Sequence, residues 1–416
     1  MLKALASIMG ASVVAQIISI LVMPWITRAY TPEILGEYQI FATICLLLIP
    51  IVSGSMHVAI RNSATQYQLI KRLIFGIQYS LFISILLLMT LPIAITIFKN
   101  IGGNWVIKFL PLIILFTAFS SIFQMGLSFL INSKRYAEAS SYTLSKSLVS
   151  NFLKVLFSVF YVNAYSLIFA LLVTESIQIN RLLKNKKRKI VSVFLILNLK
   201  RFFRNTRALR VFPTYVSMGA VVEILMNWFP ILITGFAYGA EYAGLLGLSF
   251  MVINGPVYPF IGAMKSVCFG ELARDLSEKN LRRVYYRSIS LGLLISLFIL
   301  IILSTFGERI FELVFGSEWA ISGRYALISF FPISLSLIFS PMYSTLNNLF
   351  GKQKGFFFLQ IIFLVIGMGS TIVVVILGFD FEAFLITFSI SMSINQLFLT
   401  LSTLYLSPSF FKQAKS

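Results

Sequence analysis

Apolar runs of about twenty residues, each near the length that crosses a bilayer as one helix, follow one another along the whole of this sequence. Twelve such spans are predicted, at roughly 4–26, 38–57, 73–98, 107–131, 139–160, 163–180, 213–236, 243–264, 288–306, 320–349, 355–378 and 382–406. With 58% hydrophobic and only 12% charged residues, the 416-residue chain is excluded as an ordinary soluble domain. Its net charge of +20 does not mark a nucleic-acid surface, because the basic residues stand between the apolar runs, where they act as topology signals. The run after Lys3 is too long for a signal-peptide core and is expected to be a retained helix.

Orientation follows from the cations, since cytoplasmic connections are enriched in Lys and Arg. Of the 34 lysines and arginines, 27 lie at the termini and in one alternating set of connections, and five lie in the other set. Both termini are therefore expected in the cytoplasm. Lys146 and Lys154 stand inside a span and belong to neither set.

The connection 181–210 divides six spans from six. The expected organisation is an N-terminal six-helix lobe over 1–180, a basic cytoplasmic linker over 181–212 and a C-terminal six-helix lobe over 213–416. The fold class is an all-α integral membrane protein of about twelve transmembrane helices, its two lobes sharing one orientation. Within the linker, the basic run Lys184–Lys189 precedes ten apolar residues, Ile190–Leu199, too few to cross a bilayer. That segment suits either an interfacial piece anchored to anionic lipid or a solvated linker. The stretch Glu271–Arg287 is expected to be a second sizeable cytoplasmic connection, helical and amphipathic.

Between the first two spans lies Arg28-Ala29-Tyr30-Thr31-Pro32-Glu33-Ile34-Leu35-Gly36-Glu37-Tyr38, predicted as a tight turn with Pro32 in the turn or at the first position of the next helix. At an offset of 208, half the chain length, Ala237, Tyr238, Glu241 and Gly244 repeat Ala29, Tyr30, Glu33 and Gly36. The echo falls at the same point in each half's helix order, as an internal duplication would place it.

The stretch Arg28–Glu33 with Gly36 and Tyr38, just after a first apolar helix, resembles the signature of the polysaccharide-biosynthesis flippases. These are the O-antigen transporters of the multidrug/oligosaccharidyl-lipid/polysaccharide (MOP) exporter superfamily. The sharp likeness covers about thirty N-terminal residues; length, helix count and charge layout carry the rest.

Inside lipid every backbone group is satisfied within its helix, so the ionisable side chains there carry the functional information. In the fifth span Thr143, Lys146, Ser147, Ser150, Asn151, Lys154 and Ser158 recur at three- and four-residue spacing and form one polar face. Lys154 stands ~20 Å from the cytoplasmic end of that span. The stripe fits a water-filled cavity that attracts an anion; it also fits two lysines that snorkel, or a Lys154 paired with a buried Glu. In the seventh span Gly219, Glu223, Asn227, Pro230 and Thr234 form a second stripe. Glu223 is expected near mid-bilayer, where it suits proton coupling or a structural pair with Lys154 or Lys146. The first span repeats the theme with Ser12, Gln16, Ser19 and Pro24, while Glu175, six residues before Arg181, is expected at the interface. Arg61 and His57 fall at the cytoplasmic edge of the second span, where Arg61 either grips phosphate oxygens or marks topology.

The candidate cargo-binding residues are thus Lys146, Lys154, Arg61, Arg28, Asn151, Gln16 and Asn227, with Glu223 the candidate ion-coupling group. Two cysteines and one histidine offer no disulfide framework and no metal cluster, and no phosphate-cradling glycine-rich loop is present. Neither a metal, another cofactor nor ATP hydrolysis by this chain is expected. The resemblance implies a cargo of polyprenyl-diphosphate-linked oligosaccharide, such as an O-antigen or related polysaccharide repeat unit. It also implies a bacterial inner membrane, H⁺ or Na⁺ as coupling ion, membrane lipids around the protein, and a polysaccharide polymerase and chain-length regulator as partners. A multidrug or organic-cation exporter of the same fold is the alternative, and it should show an acidic cavity. A membrane-embedded polymerase or acyltransferase is the other class; such polymerases carry a large outer loop, whereas the long connections here are cytoplasmic.

Overall fold

The computed structural model describes residues 2–100, 104–183, 199–349 and 353–405. The basic run Lys184–Lys189, the apolar stretch Ile190–Leu199 save its last residue, and the C-terminal Lys412 and Lys415 lie outside the described residues. Among the described residues there is no strand. The helices are α1 (Leu2–Ala29), α2 (Pro32–Ser53), α3 (Met56–Arg61), α4 (Gln66–Met89), α5 (Leu91–Asn100), α6 (Asn104–Ile107), α7 (Leu110–Asn132), α8 (Tyr136–Phe160) and α9 (Ala164–Leu183). They continue as α10 (Leu199–Ala208), α11 (Ser217–Ala237), α12 (Ala240–Arg274), α13 (Glu278–Phe315), α14 (Ala320–Leu349), α15 (Gln353–Ile376) and α16 (Phe381–Tyr405).

Among the described residues, nine helices are long and apolar enough to cross a membrane: α2, α4, α7 and α11 through α16. The predicted spans fall on helical stretches, with 38–57, 73–98 and 107–131 each reaching across two helices. The three outside the nine are α1, apolar over Val13–Ala29, and the more polar α8 and α9.

Three boundaries differ from expectation. The turn after α1 is shorter than predicted, because α2 begins at Pro32, whose missing N–H is not needed at a first helical position, and Thr31 caps it by accepting from the Ile34 N–H. The predicted span 73–98 is two helices, broken at Thr90. Pro92 cannot donate to residue 88, and the Thr90 hydroxyl donates instead to the Leu87 carbonyl at 2.9 Å. The third lies within the expected connection Glu271–Arg287, which is helical as predicted but divided at Asp275, Leu276 and Ser277 between the end of α12 and the start of α13. Ser277 caps α13, and its backbone N–H, followed by its hydroxyl, holds the exposed Asp275 carboxyl below the usual carboxylate range. At 38 residues α13 is ~57 Å long, well beyond a ~30 Å hydrocarbon core.

The chain packs as two compact units, Met1–Gly244 and Leu245–Ser416. In the first, α2 packs against α7, α4, α9 and α11, and α8 against α1 and α9. Phe41 of α2 sits edge-on to Phe109 at 6.3 Å and tilted to Phe116 at 5.9 Å. Phe202 of α10 is buried against α4, 5.6 Å from Phe75 and 5.1 Å from Phe82. α11 runs antiparallel along α2. At one end the Ser217 hydroxyl donates to the Pro50 carbonyl at 2.9 Å; at the other, Gly235 leaves room for Ile40.

Beyond Gly235 the turn Tyr238-Gly239, with Gly239 at φ +102°, leads into α12, whose first turns meet those of α2. A Cβ built on Gly36 would stand 1.7 Å from the Ala240 carbonyl oxygen, and one built on Gly244 1.9 Å from that of Pro32. Only glycine lets the two backbones approach so closely. In the second unit α14 is central, packing on α13 and α16. The Tyr343 hydroxyl donates to Gln396 Oε1 at 2.9 Å, and the Ser389 hydroxyl to the Ile328 carbonyl at 2.6 Å.

Candidate functional site

The polar face of α8 is not one surface but three. Ser147 and Asn151 turn to α1: the Ser147 hydroxyl donates to the Ala15 carbonyl at 2.8 Å, and Asn151 Nδ2 to Ser19 Oγ at 3.0 Å. The predicted stripe of α1 and that of α8 are therefore stitched together, and Asn151 is buried in the seam. Gln16 lies half-buried on the same stretch of α1.

Lys146 turns instead to α7 and α9. Its ammonium forms an ion pair with Glu175 and lies 4.6 Å from the centre of the Phe123 ring. Glu175, six residues before Arg181, is only 1% exposed, covered by α7 and α8. Its second oxygen, Oε2, is buried without a hydrogen-bond partner, as is Oε1 of Gln178 one turn later. The Gln178 amide and the Arg181 guanidinium both donate to Ser145 Oγ, at 3.1 and 3.2 Å.

Lys154 turns to α2. Its ammonium donates to the Tyr38 hydroxyl at 2.8 Å and lies 4.8 Å from the centre of that ring. Tyr30 closes the other side, its hydroxyl 2.8 Å from Ser166 Oγ and 3.5 Å from the Lys154 carbonyl. Among the described residues no carboxylate pairs with Lys154. It is a half-buried positive charge solvated by one phenol and one aromatic face. Eight residues separate the lysines, ~12 Å along the helix.

The remaining candidates are dispersed. Arg28 is exposed in the last turn of α1. Arg61, at the end of α3, donates through Nε to Ser128 Oγ at 3.2 Å, and its carbonyl accepts from Asn132. Beside it His57, on α3 between the long helices, is held down at about 4 by burial and by the Arg61 charge, so it is neutral at physiological pH. On α11, Asn227 donates to the Glu223 carbonyl at 2.8 Å, while the Glu223 side chain is exposed and makes no ion pair among the described residues.

Three residues that complete the site were missed as such in the sequence: Glu175, Tyr38 and Phe123. Glu175, Gln178 and Arg181 recur at threefold spacing, the same signal that marked α8, and Tyr38 lay within the singled-out turn. Nothing in the sequence marked Phe123. Among the described residues no His/Cys/Asp/Glu group could hold a metal ion.

Comparison with known proteins places this arrangement in context. Residues 56–323 match the family model described as "Polysaccharide biosynthesis protein". No curated protein sequence gives a significant match. Among solved structures, the inward-facing conformation of a multidrug resistance MATE family transporter of the MOP superfamily superposes with a TM-score of 0.70 at 13% identity, over 96% of both chains. A MOP superfamily transporter from Pyrococcus furiosus, described with a binding pocket of reverse polarity suggesting a different function, gives 0.59 at 13% identity over 100% of this chain and 96% of that one. The outward-facing conformation of a MATE family transporter gives 0.57 at 12% identity, over 99% and 96%. The fold is that of MATE/MOP transporters.

Proposed function

The chain belongs to the polysaccharide biosynthesis protein family, and from that membership we propose that it is a flippase. Its cargo is a polyprenyl-diphosphate-linked oligosaccharide, carried from the cytoplasmic to the outer face of a bacterial inner membrane by alternating access. The observation that carries this is Lys154, a half-buried ammonium with no carboxylate partner among the described residues, held by Tyr38. Placing a cation there without a counter-ion costs stability that an anionic cargo would offset. A diphosphate supplies that anion, whereas an organic cation would be repelled, so the multidrug alternative fits this side of the site poorly. The protein then acts as a carrier rather than an enzyme, in twelve crossings with both termini cytoplasmic, the lobes 1–180 and 213–416 flanking a linker.

The test is surface polysaccharide in cells that depend on this chain. Lys154→Ala should abolish it at normal protein abundance, and Lys154→Arg should retain part of it. Full output from Lys154→Ala would remove Lys154 from the site. Arg61, Arg28, Gln16, Asn151 and Asn227 are secondary cargo contacts in this proposal. Glu223, exposed on α11 and unpaired among the described residues, is its ion-coupling group. Glu223→Gln should eliminate ion-gradient-driven uptake into vesicles while leaving cargo binding intact; uptake that survives unchanged would end that assignment.

A further inference from the structure

Asn280, Val284, Ser288, Gly292 and Ser296, four residues apart on α13, are all buried. This row packs on α14. A Cβ built on Gly292 would stand 2.8 Å from Ile338 Cα, and the Ser296 hydroxyl donates to the Ser334 carbonyl at 3.3 Å. The opposite face is open. In the apolar part of the helix it exposes Leu294, Leu297 and Ile301 at 67, 50 and 62%. Followed back toward Ser277 at three- and four-residue spacing, the same face becomes Tyr286, 65% exposed, among Lys279, Arg282, Arg283 and Arg287. Apolar and basic residues thus share one continuous stripe, with Arg287 ~10 Å from Leu294 and Lys279 ~12 Å beyond it.

One carboxylate, Glu278, stands among the four cations. Arg282 donates to it at 2.8 Å, and Arg283 donates to Asn280 Oδ1 at 2.8 Å. Each bond uses one of the five N–H groups of a guanidinium, so most donors of both remain free for a ligand. Lys279 and Arg287 are exposed, and their side chains have no partner among the described residues. The scaffold beneath is fixed. Asn280 Nδ2 donates to the Asp275 carbonyl at 2.8 Å, and Leu272 and Val284 pack with Met342 and Leu346 of α14. These cations are therefore held in a set pattern on a packed helix, unlike those of a polybasic tail.

We propose that this face of α13 binds an anionic phospholipid. The acyl chain lies along Leu294 and Leu297, and Tyr286 stands at the interface where aromatic residues collect. Arg283 and Arg287 grip the phosphate oxygens, and Lys279 and Arg282 add attraction for the anionic surface. A lipid fits because one molecule spans both parts of the stripe, its tail on the apolar part and its headgroup on the basic part. The cation distribution makes this the cytoplasmic leaflet. The proposal rests only on α13 crossing a bilayer, and not on transport or on any cargo.

The test uses the full chain in vesicles, with and without Tyr286→Trp, so that the added emission reports this position. Phosphatidylglycerol brominated in its acyl chains should quench that emission with a roughly tenfold preference over brominated phosphatidylcholine. Each Lys or Arg near an anionic surface strengthens attachment about fivefold. The preference should fall in 1 M salt, where screening acts within ~3 Å. Arg283→Gln with Arg287→Gln should bring it within about twofold, whereas Arg283→Lys with Arg287→Lys should keep most of it. Equal quenching by the two lipids, with every cation in place, would overturn the proposal. So would a preference that 1 M salt or the paired Gln substitutions leave unchanged. Farnesyl diphosphate that displaces phosphatidylglycerol at equal membrane content would give the face to the diphosphate cargo and overturn it too. None of these results bears on Lys154.

Discussion

Lys146 and Lys154 are the same residue type on the same face of α8, two turns apart, yet the molecule treats them differently. Around Lys146, α7 and α9 supply a buried carboxylate and a phenyl ring, so the charge is neutralised within the protein. Around Lys154, α2 supplies only a phenol, so the charge is oriented but not neutralised. The neighbourhood of Lys146 includes its counter-ion, whereas that of Lys154 has none among the described residues, and in the function proposed above the cargo supplies it. A polar stripe in a membrane helix thus does not have one function along its length; what the neighbouring helices bring to each turn decides it.

The sharpest way to break this comparison is through Glu175. Removing one partner of a buried ion pair typically costs about 3–5 kcal/mol, so Lys146→Ala should deplete folded protein in membranes. The double substitution Lys146→Ala, Glu175→Gln should restore it, because no buried charge is then left alone. If Lys146→Ala is as abundant as the parent, the pair is not structural and the contrast collapses. Lys154→Ala should do the reverse. Abundance should hold, while binding of farnesyl diphosphate by the purified protein weakens roughly 10- to 100-fold, the loss of a charge-assisted bond worth about 1.5–3 kcal/mol. Equal weakening by Lys154→Ala and by the Lys146/Glu175 double substitution would mean that both lysines hold the anion.

Smaller changes refine the division. Phe123→Leu removes the ring over Lys146 and should lower thermal stability by about 0.5–2 kcal/mol without altering diphosphate binding. Tyr38→Phe keeps the ring over Lys154 but removes the hydroxyl, and should change diphosphate affinity by about 0.5–1.5 kcal/mol with stability little altered. An exchange of these two outcomes would assign the lysines the other way round.

The sequence carried the approximate positions of the spans, because twenty apolar residues between charged connections leave little choice of structure, but it left Pro32 either in the turn or at the first position of α2. It did not carry the rupture at Thr90, since a proline inside a long apolar run can kink a helix or end it. It could not assign partners either. Lys146 and Glu175 lie 29 residues apart on different helices, and counting from Arg181 gave the depth of Glu175 along its own helix but not what covered it. The face of α8 was legible as polar; which of its residues meet α1, α9 or α2 depends on how those helices surround it. The echo at offset 208 was visible in four residues, but that its two copies touch required coordinates.

Phe202 seated on α4, and α11 lying along α2, bear on how the chain is made. When residue 183 leaves the ribosome, the surface of α2 that α11 will cover and the aromatic slot on α4 are both still vacant. The slot waits for Phe202, and the surface of α2 is covered only once residue 237 has been synthesised, roughly 3–11 s after residue 183 at 5–20 residues per second. Through that interval the first nine helices must be sheltered by the insertion machinery or by lipid. A gene divided between the codons for Leu183 and Leu199 should therefore yield a first fragment that is degraded alone and rescued when the second is made beside it.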